Sequence, residues 1–239
     1  EGERKPFHQR YVDASDLVVL SPGVPRSRPE LASAIEAGKV VGEVELASWF
    51  SPCPLVGVTG TNGKSTTTAL LGHALVQAGW PAFIGGNLGT PLSELGLRHR
   101  DQLPPRVAIV EVSSYQLESL VEARFKVGVW LNLTPDHMDR YRDVEEYALA
   151  KRRIIELRSI DGTAVLNAKD PTVTRHGVEF GGPARWFSGR GRSDLADILG
   201  TSVTDTEAVR RVDHEEERYS VAGPGLPGPH NRENAAAAI

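Results

Sequence analysis

The chain has 239 residues, 40% hydrophobic and 24% charged, enough to bury one sizeable core or one full domain plus part of another. Its 27 basic residues nearly balance 31 acidic ones, and a net charge of −4 without a long Lys/Arg run argues against nucleic acid as a partner. A single cysteine, Cys53, excludes an internal disulfide, no apolar stretch is long enough to cross a bilayer or serve as a signal peptide, and a reducing cytoplasm is the expected compartment.

In chain order, the apolar run Leu17 to Leu20 reads as a strand ending in Ser21-Pro22-Gly23. Helical spacing follows from Glu30 to Ala37, with Gly38 as its C-terminal cap. Val40-Val41 and Glu43 to Phe50 come next, and Ser51-Pro52-Cys53-Pro54 reads as a linker, so a domain boundary is expected there. Beyond it, Leu55 to Thr59, Ala82 to Ile84, Val107 to Val112, Val127 to Asn132 and Ala164 to Asn167 read as strands. They alternate with helical patterns at Lys64 to Ala78 and Val144 to Leu157, which predicts an α/β fold with a mainly parallel sheet. From Arg185 to Ala222 short β-like pieces such as Arg218 to Val221 alternate with charged turns, predicting an antiparallel extension whose charges form a solvated face. The chain does not start with Met and stops within Asn234-Ala-Ala-Ala-Ala-Ile239, which reads as the middle of a helix; further sequence is expected at both ends.

The strongest local signal is Gly57-Val-Thr-Gly60-Thr-Asn-Gly63-Lys64-Ser65-Thr66, between a β-branched strand and an amphipathic helix. Glycines let backbone N–H groups face phosphate oxygens, a helix N-terminus adds positive potential, Lys64 can reach terminal phosphates, and the Ser65 hydroxyl can ligate Mg²⁺. The first glycine falls at Gly57, one position before the general phosphate-loop pattern places it. Glu111, at the end of an apolar strand, reads either as a Mg²⁺ ligand or as an acid facing water. His137, in the segment after Val127 to Asn132, reads either as a second metal ligand or as a surface residue. If the sheet is parallel, Lys64, Glu111 and His137 share its carboxyl-end rim. Lys151 stands beside Arg152 and Arg153 in a chain poor in lysine, and by pattern alone it reads as a solvated helix residue.

The glycine segment Gly57 to Thr66 is joined by Gly85-Gly-Asn-Leu-Gly-Thr-Pro91, Glu111-Val-Ser-Ser-Tyr-Gln-Leu-Glu118, Leu131-Asn-Leu-Thr-Pro-Asp-His-Met-Asp-Arg-Tyr141 and Gly228-Pro-His-Asn-Arg-Glu-Asn-Ala235. In this order and spacing the blocks closely resemble the Mur ligases, over the stretch from about Ser21 to the end. The resemblance implies part of a Rossmann-like N-terminal domain for UDP-substrate binding at 1–50, a central ATP-binding domain at 51–239, and a C-terminal domain that is absent. It implies ATP-dependent joining of D-glutamate to UDP-N-acetylmuramoyl-L-alanine through an acyl phosphate, in peptidoglycan precursor synthesis, by a monomer. Carried over by position, Gly60, Thr61, Asn62, Gly63, Lys64, Ser65 and Thr66 would bind ATP phosphates, with Asn231 and Asn234 near the adenine. Ser65 and Glu111 would bind one Mg²⁺, and His137 with Lys151 would serve a second, Lys151 being carbamylated by CO₂. Lys64, His137 and Lys151 would thus be the catalytic groups. Ser21, Pro22, Gly23, Asn87, Ser113, Gln116 and His137 would contact the UDP-muramoyl substrate. Two alternatives stay open: a relative of folylpolyglutamate synthase type acting on another carboxylate, and a nucleotide-binding switch that joins nothing.

Overall fold

The computed structural model describes residues 8–98, 103–189, 200–204, 207–212, 215–220 and 228–239. The first part holds helix α1 (Gln9–Asp13), strand β1 (Val18–Leu20), helix α2 (Ala32–Glu36), strand β2 (Val40–Gly42) and helix α3 (Glu43–Trp49). β1 and β2 pair in parallel, and Val12, Leu20, Leu31, Ala34 and Val40 form a small core beneath them. The helix expected from Glu30 to Ala37 divides: Pro29–Leu31 makes a 3₁₀ turn before α2. Pro29 can occupy a first-turn position because it lacks only an N–H that no helix partner needs. Gly38, at φ +69, ends α2 as expected.

From Leu55 onward the described residues build one nine-stranded sheet. Its strands are β3 (Leu55–Thr59), β4 (Ala82–Gly86), β5 (Val107–Glu111), β6 (Phe125–Trp130), β7 (Arg158–Asn167), β8 (Ala184–Ser188), β9 (Gly200–Val203), β10 (Glu207–Val212) and β11 (Glu215–Ser220). Their order is β11-β10-β9-β8-β7-β6-β3-β5-β4. Strands β3 to β9 pair in parallel, while β9–β10 and β10–β11 are antiparallel. The sheet is therefore mixed and mostly parallel, with the antiparallel part at one edge. Every residue of β11 is exposed, in keeping with the expected solvated face, and Arg210–Glu217 and Arg218–Glu207 pair across the ribbon. Val221, Ala222 and 190–199 of the same region lie outside the described residues.

Among the described residues the helices of this part are α4 (Lys64–Gln77), α5 (Ser93–Arg98), α6 (Ser114–Glu118), α7 (Val144–Glu156), α8 (Pro171–Phe180) and α9 (Pro229–Ala238). Central β3 is buried along its whole length, as a strand covered on both faces must be. On one face Leu117, Phe125, Trp130, Tyr147, Ile154 and Ile155 belong to one core, and on the other Val58, Ile109, Val129, Ala236 and Ala237 form a second. α4 presents a weaker apolar stripe than expected of an amphipathic helix: its fully buried residues are Thr67, Thr68 and Gly72, while Leu71 and Leu75 pack half-buried on the second core. A Cβ at Gly72 would collide with Ile84, so small residues here serve close approach of helix to sheet. α8 was not expected, although Asp170 caps its first turn through Thr172 and Val173 and Gly181 closes it at φ +68. No helix among the described residues is long and apolar enough to cross a membrane.

Candidate functional site

The site lies where β3, β5 and β6 end. In register, Val58 of β3 stands between Glu111 of β5 and Val129 of β6, so the segments that follow these parallel strands emerge on one rim. After β3 the chain turns through Gly60 to Gly63 into α4. Gly63 is left-handed at φ +84, and a Cβ there would collide with the Asn234 side chain. Glycine is thus required twice at this position, once by backbone conformation and once by space.

Segment 132–134 staples this turn. Asn132 accepts the Asn62 N–H at Oδ1 (2.9 Å) and donates from Nδ2 to the Asn62 carbonyl (3.1 Å). The Thr61 N–H donates to the Asn132 carbonyl at 3.1 Å, and Thr134 N–H donates to Thr61 Oγ1 at 3.1 Å. Such a network fixes the turn before any ligand arrives. Asn132, Thr134 and Tyr147 are residues the sequence reading missed. Asn132 and Thr134 follow a strand end, the same signal that drew attention to His137, while Tyr147 precedes Lys151 by one helical turn.

The two decisive side chains meet as expected: Ser65 Oγ donates to Glu111 Oε2 at 2.7 Å. Asn87 Nδ2 holds the other oxygen of that carboxylate at 3.1 Å, so Glu111, only 3% exposed, is oriented from both sides. Among the described residues, no three His, Cys, Asp or Glu side chains gather as a ready metal cage. Ser65 and Glu111 instead offer a hard-oxygen pair, which suits a cation that takes its remaining ligands from water and phosphate. Thr66 is exposed next to Ser65 on the first turn of α4.

Two lysines converge on one carbonyl. Lys64 Nζ donates to Gly60 O (3.1 Å) and Thr61 O (3.0 Å), and Lys151 Nζ reaches the same Gly60 O at 2.9 Å. Lys151 is therefore not a solvated helix residue; it is 2% exposed, with Nζ 4.7 Å from the centre of the Tyr147 ring. Burial, reinforced by the nearby Lys64 charge, pushes its amine down to about 7. The Tyr147 hydroxyl lies 3.4 Å from Thr61 Oγ1, and its ring stands edge-on to His137 at 6.0 Å. His137 itself is half-exposed and left-handed at φ +56, a conformation uncommon outside glycine. Its ring also lies 5.1 Å from Tyr115.

The remaining expected residues fall in two other places. Ser21, Pro22 and Gln116 line a cleft with Gly42, Tyr115 and Arg140, whereas Gly23 is not part of its wall. Ser113 and Gln116 also form a capping box on α6: Gln116 N–H donates to Ser113 Oγ at 3.2 Å, and Ser113 N–H donates to Gln116 Oε1 at 2.9 Å. Asn234 sits buried behind the glycine turn, accepting from Thr67 Oγ1 at 3.3 Å, with Asn231 Oδ1 3.4 Å from its Nδ2.

The fold and the site define an α/β enzyme-like domain with a mostly parallel sheet and a polar centre on its carboxyl rim. The chain belongs to the Mur ligase family, whose middle-domain model matches residues 58–239. It is 46% identical to the UDP-N-acetylmuramoylalanine--D-glutamate ligase of Anaeromyxobacter dehalogenans (strain 2CP-C), over 94% of this chain and 49% of that protein. The enzyme of that name from Pelobacter propionicus is 42% identical, again over 94% and 49%. The chain thus spans about half the length of the curated relatives it matches. Among solved structures, the UDP-N-acetylmuramate:L-alanyl-gamma-D-glutamyl-meso-diaminopimelate ligase of Neisseria meningitides superposes with a TM-score of 0.61 at 21% identity, over 97% of this chain and 75% of that one. The MurF ligase of Thermotoga maritima, solved with ADP, gives 0.57 at 18% identity, over 94% and 53%. At these identities the structures speak for the fold.

Proposed function

We propose that this chain supplies the ATP-binding centre of a ligase that joins D-glutamate to UDP-N-acetylmuramoyl-L-alanine in peptidoglycan precursor synthesis. The observation that carries the reading is the 2.7 Å contact between Ser65 and Glu111, beside a glycine turn on which Lys64 and Lys151 converge. Relatives at 41–46% identity that bear this enzyme's name support the choice of substrates. Residues 51–239 form the central ATP-binding domain in this reading, and 1–50 belong to a Rossmann-like domain for the UDP end of the substrate.

The Gly60–Thr66 turn acts as a phosphate loop. Its backbone N–H groups and the N-terminus of α4 receive phosphate oxygens, and Lys64 exchanges the Gly60 and Thr61 carbonyls for the terminal phosphates. Ser65 and Glu111 would hold one Mg²⁺, and His137 with a carbamylated Lys151 would serve a second. Bound Mg²⁺ neutralises charge on the transferring phosphoryl group. An oxygen of the alanyl carboxylate attacks the γ-phosphorus, the bond to the ADP oxygen breaks, and an acyl phosphate forms. The amine of D-glutamate then attacks the acyl carbon; phosphate leaves, and the nitrogen loses a proton to give the amide.

Lys151 becomes a carbamate in this scheme. An amine lowered to about 7 is uncharged in a substantial fraction of molecules at neutral pH, and only the uncharged form attacks CO₂, releasing a proton. The carbamate nitrogen keeps one N–H for the Gly60 carbonyl, and its new negative charge faces Lys64 instead of repelling it. Asn231 and Asn234 line the adenine end, and Ser21, Pro22, Asn87, Ser113, Gln116 and His137 the muramoyl end.

The test is ADP release by the intact protein. Release is expected only when UDP-N-acetylmuramoyl-L-alanine and D-glutamate are both present, and Lys64→Ala is expected to abolish it. Turnover indifferent to both substrates would refute the ligase reading in favour of a nucleotide switch, and full activity in Lys64→Ala would remove the phosphate loop from it.

A further inference from the structure

Helix α3 sends two acidic side chains out of its own unit, one to the start of α5 and one to the turn after α6. Glu43 Oε1 accepts the Ser93 N–H at 2.6 Å, at the start of α5. Glu45 is 1% exposed, and its carboxylate accepts the N–H groups of Val121 (2.9 Å), Glu122 (2.8 Å) and Ala123 (3.2 Å) as well as Trp49 Nε1 (3.1 Å). No cation pairs with it among the described residues. A carboxylate buried without a counter-charge is tolerated only where several N–H donors converge on it, and their directions then fix the backbone that carries them.

The same turn is gripped from the opposite side. Arg153 of α7, two residues after Lys151, donates Nε to the Leu117 carbonyl at 2.8 Å and Nη2 to the Leu120 carbonyl. The N–H groups of Val121, Glu122 and Ala123 are thus held by α3, and the Leu117 and Leu120 carbonyls by α7. Gly42, just before α3, packs so closely on Ser119 that a Cβ would sit 2.5 Å from its Oγ. This turn ends α6, whose beginning follows Glu111 and carries Ser113, Tyr115 and Gln116. The cleft between Ser21-Pro22 and Gln116 thus has one wall on each side of the clamp. The glycine turn is held independently, by Asn132 and Thr134.

We propose that Glu45 is a positioning residue that locks α6 against the amino-terminal unit and so sets the fit of the carboxylate substrate, but not of ATP, in the ligase. Its kinetic consequence rests on the ligase reading above; its structural consequence does not. Glu45→Gln places an NH₂ against N–H donors that now meet an oxygen, keeping size while breaking half the clamp.

In the intact enzyme, Glu45→Gln should raise KM for UDP-N-acetylmuramoyl-L-alanine about tenfold or more, with KM for ATP within about twofold and kcat within about threefold of wild type. Amide exchange should quicken across 113–123 and stay unchanged across 60–67. A purely structural role would lower Tm and the yield of active enzyme without moving KM, and that outcome, or the two KM values rising together, overturns the proposal. If Glu45→Gln fails to fold, Trp49→Phe removes a single donor; a smaller rise confined to the muramoyl KM then supports the clamp, and none refutes it. A wild type that needs neither substrate for ADP release would discard the ligase reading, and the exchange pattern would still decide the clamp.

Discussion

Lys151 should lower the stability of the folded chain at neutral pH, by an amount that its burial allows us to work out. Its amine titrates at about 7 when folded and at the ordinary 10.5 when unfolded. Between these values the unfolded state binds more protons, so stability rises with pH; below about 7 both states are protonated and the destabilisation is fully present. At one pKa unit per 1.36 kcal/mol, the cost at pH 7 is on the order of 4 kcal/mol, and about 2 kcal/mol of it is relieved between pH 7 and pH 9. Lys151→Met keeps the apolar stem and removes the titrating amine. Urea unfolding at pH 7, 8 and 9 in CO₂-free buffer, followed by tryptophan fluorescence and far-UV circular dichroism to check that the transitions coincide, measures the difference directly. The variant should be more stable than wild type at pH 7, with the gap closing by about 2 kcal/mol at pH 9. Parallel pH profiles for the two proteins would refute the reasoning, because they would mean that the amine keeps its charge inside the fold. Adding bicarbonate should then stabilise wild type alone, as carbamylation removes the buried cation.

Glu111→Gln keeps an acceptor for Ser65 but removes the negative charge from the oxygen pair; the Mg²⁺ concentration for half-maximal activity should rise at least about tenfold, with Lys64 left in place. An unchanged Mg²⁺ requirement in that titration would remove Glu111 from the metal site. Gly63→Ala places a side chain at φ +84 and into Asn234, and should destabilise the chain by about 1–3 kcal/mol in urea. A neutral effect there would show that the turn can relax away from α9.

Much of this architecture was legible because each signal was local. Short apolar runs rich in β-branched residues marked β3, β5 and β6, and glycines before a Lys-Ser pair marked the entry to α4. The order of strands and helices implied parallel pairing, which then implied that Lys64, Glu111 and His137 share a rim. Where local signals conflict with packing, the reading failed. α4 looked amphipathic, yet its most buried positions are Thr67, Thr68 and Gly72, where closeness to the sheet calls for small residues, and its apolar Leu71 and Leu75 pack only half-buried on the core. Lys151 looked solvated beside two arginines, and only the third dimension puts it under Tyr147 and against the Gly60 carbonyl, 91 residues away in sequence.

Sequence alone thus singled out the glycine turn, Lys64, Ser65 and Glu111 as candidates for phosphate and metal, because such recognition calls for particular side chains at strand ends and helix starts, and those are short-range demands. The tertiary structure decided how these groups are held and charged. Hydrogen bonds from Asn132 to the glycine turn, the carboxylate of Glu45 on a distant backbone turn and the lowered amine of Lys151 all arise between segments far apart along the chain. Desolvation and donor geometry depend on what packs around a group, and a linear pattern does not encode that environment.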